Sequence, residues 1–437
     1  MKVSKRQLTS FAGASLAYLL ASFSESYFTL YIAMVVIIAF PMIAVREPST
    51  RVLYSFLLVY FGFALLNISD YRNYISIETL RMYVTSLYAF TIPVVALTAV
   101  PRTHVTQIRS TPVIRYMLMG HLVAVWLAVA YVYARYGMVL VKQDLRFSIP
   151  TALGYAIRSA VFVPVCFVMF KDYERKRMQL VLISILSVLP PIMIASRSTT
   201  ALGLLAVCLY MALSRLYGWG AAIKARRRWG IKVYALAALA VIGCYSVIAG
   251  GFYVRRANTD QLMSGEEFVS GYLNAYPKFL MYAVAPLYQG FNETAALTSR
   301  IVDQNIRNTA TSTPLVFADF ENLLGLSNVS AAQHFGDSVG RAQDGGLTPG
   351  LLGALLLDYR DGYFIAFFGL GLILALLRHK GMGSKRWLCV YVVCMLQIIH
   401  LFQRGFVKPE YFTTLIIISI YLMFSRVNKA EDESNIS

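Results

Sequence analysis

Charge is the first thing this chain is short of. Only 14% of its 437 residues are Asp, Glu, Lys or Arg, while 58% are hydrophobic, and the mean hydropathy is +0.59. A soluble chain carries about a quarter charged residues, so a soluble globular protein is excluded. The apolar stretches are continuous and do not alternate with period two, which excludes a membrane β-barrel. Cysteine is scarce as well. Cys166, Cys208, Cys244, Cys389 and Cys394 all fall in apolar runs, without a CxxC pair or a histidine at metal-ligand spacing, so they read as small apolar side chains. The five histidines are scattered, and there is no HExxH, no DxD in the polar part of the chain, no P-loop, no dinucleotide fingerprint and no nucleophile elbow. No metal site and no cofactor are expected. No internal repeat or matched pair of broken helices is present, which counts against many secondary transporters.

What the chain has instead is a series of apolar runs near the ~20 residues that cross a bilayer as a helix. They cover 8–23, 27–45, 52–68, 74–100, 113–134, 151–170, 178–195, 199–216, 233–251, 360–377, 387–402 and 410–425. The first follows a basic start (Lys2, Lys5, Arg6) like that of a signal peptide, but lacks a convincing small-x-small cleavage site and reads as a retained helix. The predicted fold is all-α: a polytopic helical membrane protein of about 12 transmembrane helices. Residues 1–251 hold helices one to nine, 252–349 a large, mainly helical outer loop, and 350–437 the last three helices and a tail.

Twelve spans place both termini on one side. With that side taken as cytoplasmic, its segments hold 24 Lys and Arg against 6 acids, while the rest of the chain holds 16 of each. The whole net charge of +18 then lies on one face, as the positive-inside rule requires. It is a topology signal. It points to the lipid bilayer as a partner, and nucleic acid is not expected.

On the outer face the arginines are oddly placed. Arg146, Arg197, Arg255, Arg256, Arg360 and Arg404 fall at helix ends, and Arg158 lies about two turns inside the sixth run. A charge within a span costs a few kcal/mol unless it is paired or lines a wet cavity. Arg158 has two readings, a working group or a side chain that snorkels to the surface. Arginine holds a phosphate with two parallel hydrogen bonds, so an outer arginine cluster points to a diphosphate or other acidic ligand.

Within the loop, Ser264 and Glu267 form a capping box that opens a helix to about Ala275. Pro277 starts a second helix with the apolar run Phe279–Leu287, and Phe291–Ile306 reads as a third, with Arg300 and Arg307 near its end. Pro314–Leu324 holds Asp319 and Glu321. The glycine-rich stretch Ser327–Gly350, with His334, Asp337, Arg341 and Asp344, is the candidate substrate-contacting loop.

The stretch from Gly345 to Phe364 runs through Thr348-Pro349, an apolar segment, Asp358-Tyr359 and Gly362 into a membrane helix. It resembles the end of the large outer loop in Wzy-type O-antigen and oligosaccharide repeat-unit polymerases. The turn Ser196-Arg197-Ser198 between two apolar helices is similar to that family's small-Ser-Arg-small turn, and the layout of spans and loop is similar too. Two departures stand out. Arg360 occupies a position where the family commonly has glycine, and the family's arginine-to-glycine spacing is missing at Arg146, Arg197, Arg300 and Arg341.

The resemblance implies a metal-independent glycosyltransferase of the bacterial inner membrane, without a cofactor, that polymerises polyprenyl (undecaprenyl) diphosphate-linked repeat units for lipopolysaccharide O-antigen or a similar surface glycan. A flippase and a chain-length regulator would be its partners. Arg197, Arg255 and Arg341 would hold the diphosphate, with Arg146, Arg158, Arg300 and Arg360 behind them. His334, then Asp319, Glu321 and Asp358, are candidates for the general base. An O-antigen ligase would share the architecture but commonly carries a histidine-rich outer motif, and a lipid-linked oligosaccharide flippase would have shorter loops.

Overall fold

In the computed structural model the described residues are 5–45, 48–67, 75–97, 107–109, 112–137, 139, 148–170, 177–194, 196–216, 249–250, 253, 269–270, 278–308, 313–326, 331–338, 348–423 and 426–428. They are helical apart from one short ribbon. Eight helices match predicted runs: α1 (Lys5–Ser22), α2 (Tyr27–Ala44), α3 (Pro48–Ala64), α4 (Ile77–Ala96), α5 (Pro112–Tyr136), α6 (Thr151–Ser159) continued as α7 (Val163–Phe170), and α8 (Arg177–Met193). A 3₁₀ turn, Ala160–Phe162, joins α6 to α7. α9 (Arg197–Leu216) follows. The predicted run 233–251 lies almost wholly outside the described residues.

Among the described residues, four helical stretches are long and apolar enough to cross a membrane: Val113–Tyr136, Thr151–Met169, Tyr363–Gly381 and Lys385–Arg404. Others, such as Leu8–Ser22, Tyr27–Ile43 and Met178–Met193, are apolar but shorter. The outward faces agree with that reading. Tyr116, Val123, Leu127 and Tyr131 on α5, and Met178, Val181, Leu182 and Ile185 on α8, are all at least half exposed. A monomeric soluble protein rarely leaves so much contiguous apolar surface to water.

The loop region departs from expectation in three places. The two helices expected on either side of residue 290 are one helix, α10 (Lys278–Asp303), which passes through Pro286 without ending. The glycine-rich stretch contains a helix, α12 (Ala331–Ser338), and a further one, α13 (Gly350–Tyr359), precedes the tenth run. Pro314–Leu324 forms a 3₁₀ turn, Leu315–Phe317, and α11 (Ala318–Leu323). The capping box at Ser264 lies outside the described residues. The chain ends with α14 (Tyr363–Gly381), α15 (Lys385–Arg404), α16 (Pro409–Met423) and a three-residue strand, β2 (Arg426–Asn428), which pairs antiparallel with β1 (Gln107–Arg109).

α10 is a loop helix fastened into the bundle by polar contacts. Asn292, Thr294, Thr298 and Ser299 are all buried on it. Asn292 donates to the carbonyls of Ala64 (3.0 Å) and Leu66 (3.3 Å), where α3 ends. The Ser76 amide donates to Ser299 Oγ (2.8 Å) at the start of α4. Tyr83 donates to Thr298 Oγ1 (3.1 Å), which itself donates to the Pro349 carbonyl (2.5 Å). Helix ends have unpaired backbone groups that need such partners when buried.

Two helix crossings depend on glycine. A Cβ at Gly371 of α14 would stand 2.3 Å from the Phe90 carbonyl oxygen of α4, so these helices meet backbone to backbone, as small residues allow in membrane bundles. Arg378 anchors the other end of the same pair. It is buried and donates to Thr50 Oγ1 (2.5 Å) and to the carbonyls of Val94 (2.8 Å) and Leu97 (3.2 Å) at the negative end of α4. Gly350 has φ +68°, and a Cβ there would lie 2.7 Å from the Phe402 carbonyl oxygen and from Thr294. Gly350→Ala is therefore expected to lower stability by at least about 1–2 kcal/mol from the left-handed backbone alone. Thermal unfolding in detergent would read this, and an unchanged Tm would show the crossing to be slack.

Candidate functional site

A buried polar cluster forms where α6, α9, α11, α12 and α16 converge. Asp319, on α11, is 1% exposed, and Lys408 reaches it with a 2.9 Å ion pair. Its other oxygen accepts the Ala331 amide (3.0 Å) at the start of α12, and the Tyr155 hydroxyl of α6 is also a hydrogen-bond partner. Burial pushes the Asp319 carboxyl up, but the Lys408 charge, the Ala331 amide and Tyr155 outweigh it and hold the group below its usual range. Asp319 is thus held as an anion.

Glu410, two residues after Lys408 and also 1% exposed, forms the second half. Its Oε1 accepts the Thr199 hydroxyl (3.1 Å), and Thr199 accepts from Ser196 Oγ (3.1 Å). Its Oε2 is buried with no hydrogen-bond partner among the described residues. Ser196 and Thr199 flank Arg197, the first residue of α9, so the predicted arginine turn is tied directly to Glu410. Arg158 lies one turn after Tyr155 with its guanidinium carbon 5.2 Å from that ring's centre. Its Nε is buried without a hydrogen-bond partner among the described residues. His400 on α15 packs edge-on against Tyr411, with ring centres 5.8 Å apart.

No family model matches the chain, no curated protein matches it, and no solved structure matches it. Function must therefore be argued from the cluster and from the sequence.

The predicted residues divide into three groups. Asp319, Arg158 and the backbone of Arg197 come together in the cluster, and His334 lies half-buried on α12, one turn from Ala331. Glu321, Asp358 and Arg300 have other partners. Glu321 accepts from the Thr313 hydroxyl. Asp358 accepts from the Asn308 amide (2.9 Å) and the Leu315 N–H (2.7 Å), bracing the 3₁₀ turn. Burial raises its carboxyl above the usual range although both those bonds pull it down. Arg300 donates Nε to Gln304 (3.1 Å) along its own helix. Arg360 closes α13 and is half-buried. Arg146, Arg255, Arg341 and the Arg197 side chain lie outside the described residues. Among the described residues no three His, Cys, Asp or Glu gather closely enough to bind a metal ion.

Lys408, Glu410, Tyr155 and Thr199 were not singled out from sequence. An acid at the first turn of an apolar span, as in Pro409-Glu410, was the available signal, because such a charge is costly without a role.

The Asp319–Lys408 pair gives a signed test. A carboxyl with a depressed pKa contributes stability above its unfolded value, about 3.9, and that stability is lost as pH falls through the lower folded value. Lys408→Met leaves a buried unpaired anion and should cost about 3–5 kcal/mol at neutral pH. The penalty should shrink as pH falls, because the orphaned carboxyl, pushed up by burial once Lys408 is gone, takes up a proton at higher pH than the paired one. Thermal unfolding of both proteins from neutral to acid pH checks it, and a pH-independent penalty would refute the pairing.

Proposed function

We propose that the chain is a membrane glycosyltransferase that polymerises polyprenyl-diphosphate-linked oligosaccharide repeat units at the outer face of the bacterial inner membrane. The proposed topology is twelve spans with both termini cytoplasmic and the 252–349 loop periplasmic. The β1–β2 pairing supports it, because it joins the basic segment around Arg109 to the C-terminal tail, two segments that the charge count assigns to one side.

The observation that carries the functional reading is the link from Ser196-Arg197 through Thr199 to Glu410, beside the Asp319–Lys408 pair. It brings an arginine turn, a partly exposed lysine and two buried carboxylates to one end of the bundle. In the proposed reaction a hydroxyl of the incoming repeat unit attacks the anomeric carbon of the growing chain. The bond from that carbon to the diphosphate oxygen breaks, and polyprenyl diphosphate leaves with the bonding electrons. Arg197, with Arg255 and Arg341, would stabilise the charge gathering on the leaving group, which pre-positioned donors do well in a dry site. The hydroxyl proton would pass to a carboxylate or to His334. Glu410 joins the candidates for that role because one of its buried oxygens has no partner among the described residues.

Deleting the gene and resolving the surface glycan on a gel tests the reading. A polymerase predicts loss of the ladder with a single repeat unit retained, whereas loss of every repeat unit would indicate a ligase or flippase. Complementation with Arg197→Ala or Glu410→Gln should leave the single-unit pattern, at normal protein levels in the membrane. A full ladder from either variant would remove that residue from the mechanism.

A further inference from the structure

Arg158 is a charge inside an apolar run, and its surroundings leave that charge unanswered. Among the described residues it makes no ion pair and no hydrogen bond, and its Nε is buried. Carboxylates are near, since the charges of Asp319 and Glu410 both reach the Tyr155 hydroxyl, one turn away on α6. Neither pairs with the arginine. Asp319 gives one oxygen to Lys408 and the other to the Ala331 amide. Glu410 gives one oxygen to Thr199 and leaves the second without a partner among the described residues. A cation in such a place is costly unless it is paired or serves a ligand.

What Arg158 has instead is an aromatic ring. Its guanidinium carbon lies 5.2 Å from the centre of Tyr155, within the ~6 Å over which an aromatic face holds a cation. The two residues are one turn apart and share a face of α6. Side chains on a helix lean toward its start, so this contact carries the guanidinium back toward Thr151 rather than deeper into the bundle. Tyr155 is a fixed support. It is 5% exposed, and its hydroxyl donates to Asp319, which Lys408 and the Ala331 amide hold in turn. The N–H donors of a guanidinium lie in its plane, so one held by its face keeps them for a ligand. Two parallel hydrogen bonds to phosphate oxygens fit that edge.

We propose that Tyr155 is a positioning residue, whose ring holds Arg158 unpaired and turned toward the start of α6 so that the guanidinium takes the phosphate oxygens of a prenyl diphosphate. The inference rests on the diphosphate ligand of the proposed function and not on polymerisation. It adds to that reading a route by which the Asp319–Lys408 pair acts on the ligand without touching it, through the tyrosine it anchors.

The full-length protein in detergent would be titrated by calorimetry with farnesyl diphosphate, a short prenyl diphosphate, and with farnesol as the uncharged control. The wild type should bind the diphosphate more tightly than the alcohol. Arg158→Gln should weaken the diphosphate about tenfold, as loss of charge-assisted hydrogen bonds does, and leave farnesol unchanged. Arg158→Lys should not restore the affinity, because an ammonium has neither the flat face nor the paired donors. Tyr155→Phe, which keeps the buried ring, should retain most of the affinity, while Tyr155→Leu should lose most of what Arg158→Gln loses. In the double variant Tyr155→Leu should cost nothing further, a coupling that mere support of the fold would not produce. Should Tyr155→Leu fold poorly, Arg158→Lys still tests the stack. A diphosphate bound no tighter than farnesol would sink the diphosphate reading and this inference with it. Diphosphate binding that survives Arg158→Gln, recovers in Arg158→Lys, or falls by independent, additive amounts in Tyr155→Leu and Arg158→Gln would overturn the positioning role alone.

Discussion

Asp319 cannot be ionised and buried without a partner, and much of the architecture around the loop follows from that requirement. An unpaired charge in so dry a place costs several kcal/mol. Lys408 answers with a 2.9 Å contact, the first amide of α12 with another bond, and Tyr155 with a third. Each of these comes from a different element. One carboxylate thereby ties the loop helices α11 and α12 to α6 and to the start of α16. Glu410 extends the same network to α9 through Thr199, so five elements share one hydrogen-bonded junction.

The other half of the loop docks by a different means. Among its described side chains, α10 buries no charge against the bundle. It uses Asn292, Thr294, Thr298 and Ser299 to complete helix ends of α3 and α4 and the backbone leading into α13. Membrane helices gain little from apolar contact with one another, since lipid is as apolar as they are, and short polar side chains with close backbone approach take over. Gly350 shows the consequence. Its left-handed backbone and the absence of a Cβ let the chain pass against the Phe402 carbonyl. A residue from the stretch that carries the family resemblance thus has a packing reason of its own.

The apolar helices were legible because their signal is additive. Twenty apolar residues in a row outweigh any local ambiguity, and the ends of α5, α8, α9, α15 and α16 fall within about two residues of the predicted limits, the usual uncertainty of a helix boundary. The loop was harder for a physical reason. The stretch between Leu287 and Phe291 looked like a break, yet α10 runs through it and is tied to the bundle by Asn292, Thr298 and Ser299. α12 was hidden by its polar, glycine-flanked sequence, since its stability comes from Ala331 bonding Asp319 and Phe335 packing near Phe406. Among the candidate residues, Arg158 could be picked out as a charge inside an apolar run and Asp319 as a carboxylate of the outer loop. Asp358 carried the same signal but is spent on bracing the chain. Sequence reveals that a charge needs a partner without revealing which partner it finds.

That distinction shifts the weight of the candidate site. The glycine-rich end of the loop was the expected centre because loops present polar groups freely. The described structure instead brings polar groups together at helix ends: Arg158 on α6 and Glu410 on α16, each with a buried atom that has no hydrogen-bond partner among the described residues, and the turn that begins α9. Such positions are better suited to reading a charged group that arrives on a lipid. On the proposed function the ligand would be a lipid-linked diphosphate, whose charge stays near a membrane surface. Rigid spans also hold arginine and carboxylate at fixed separation, and a site built from electrostatic preorganisation needs that more than it needs a mobile loop.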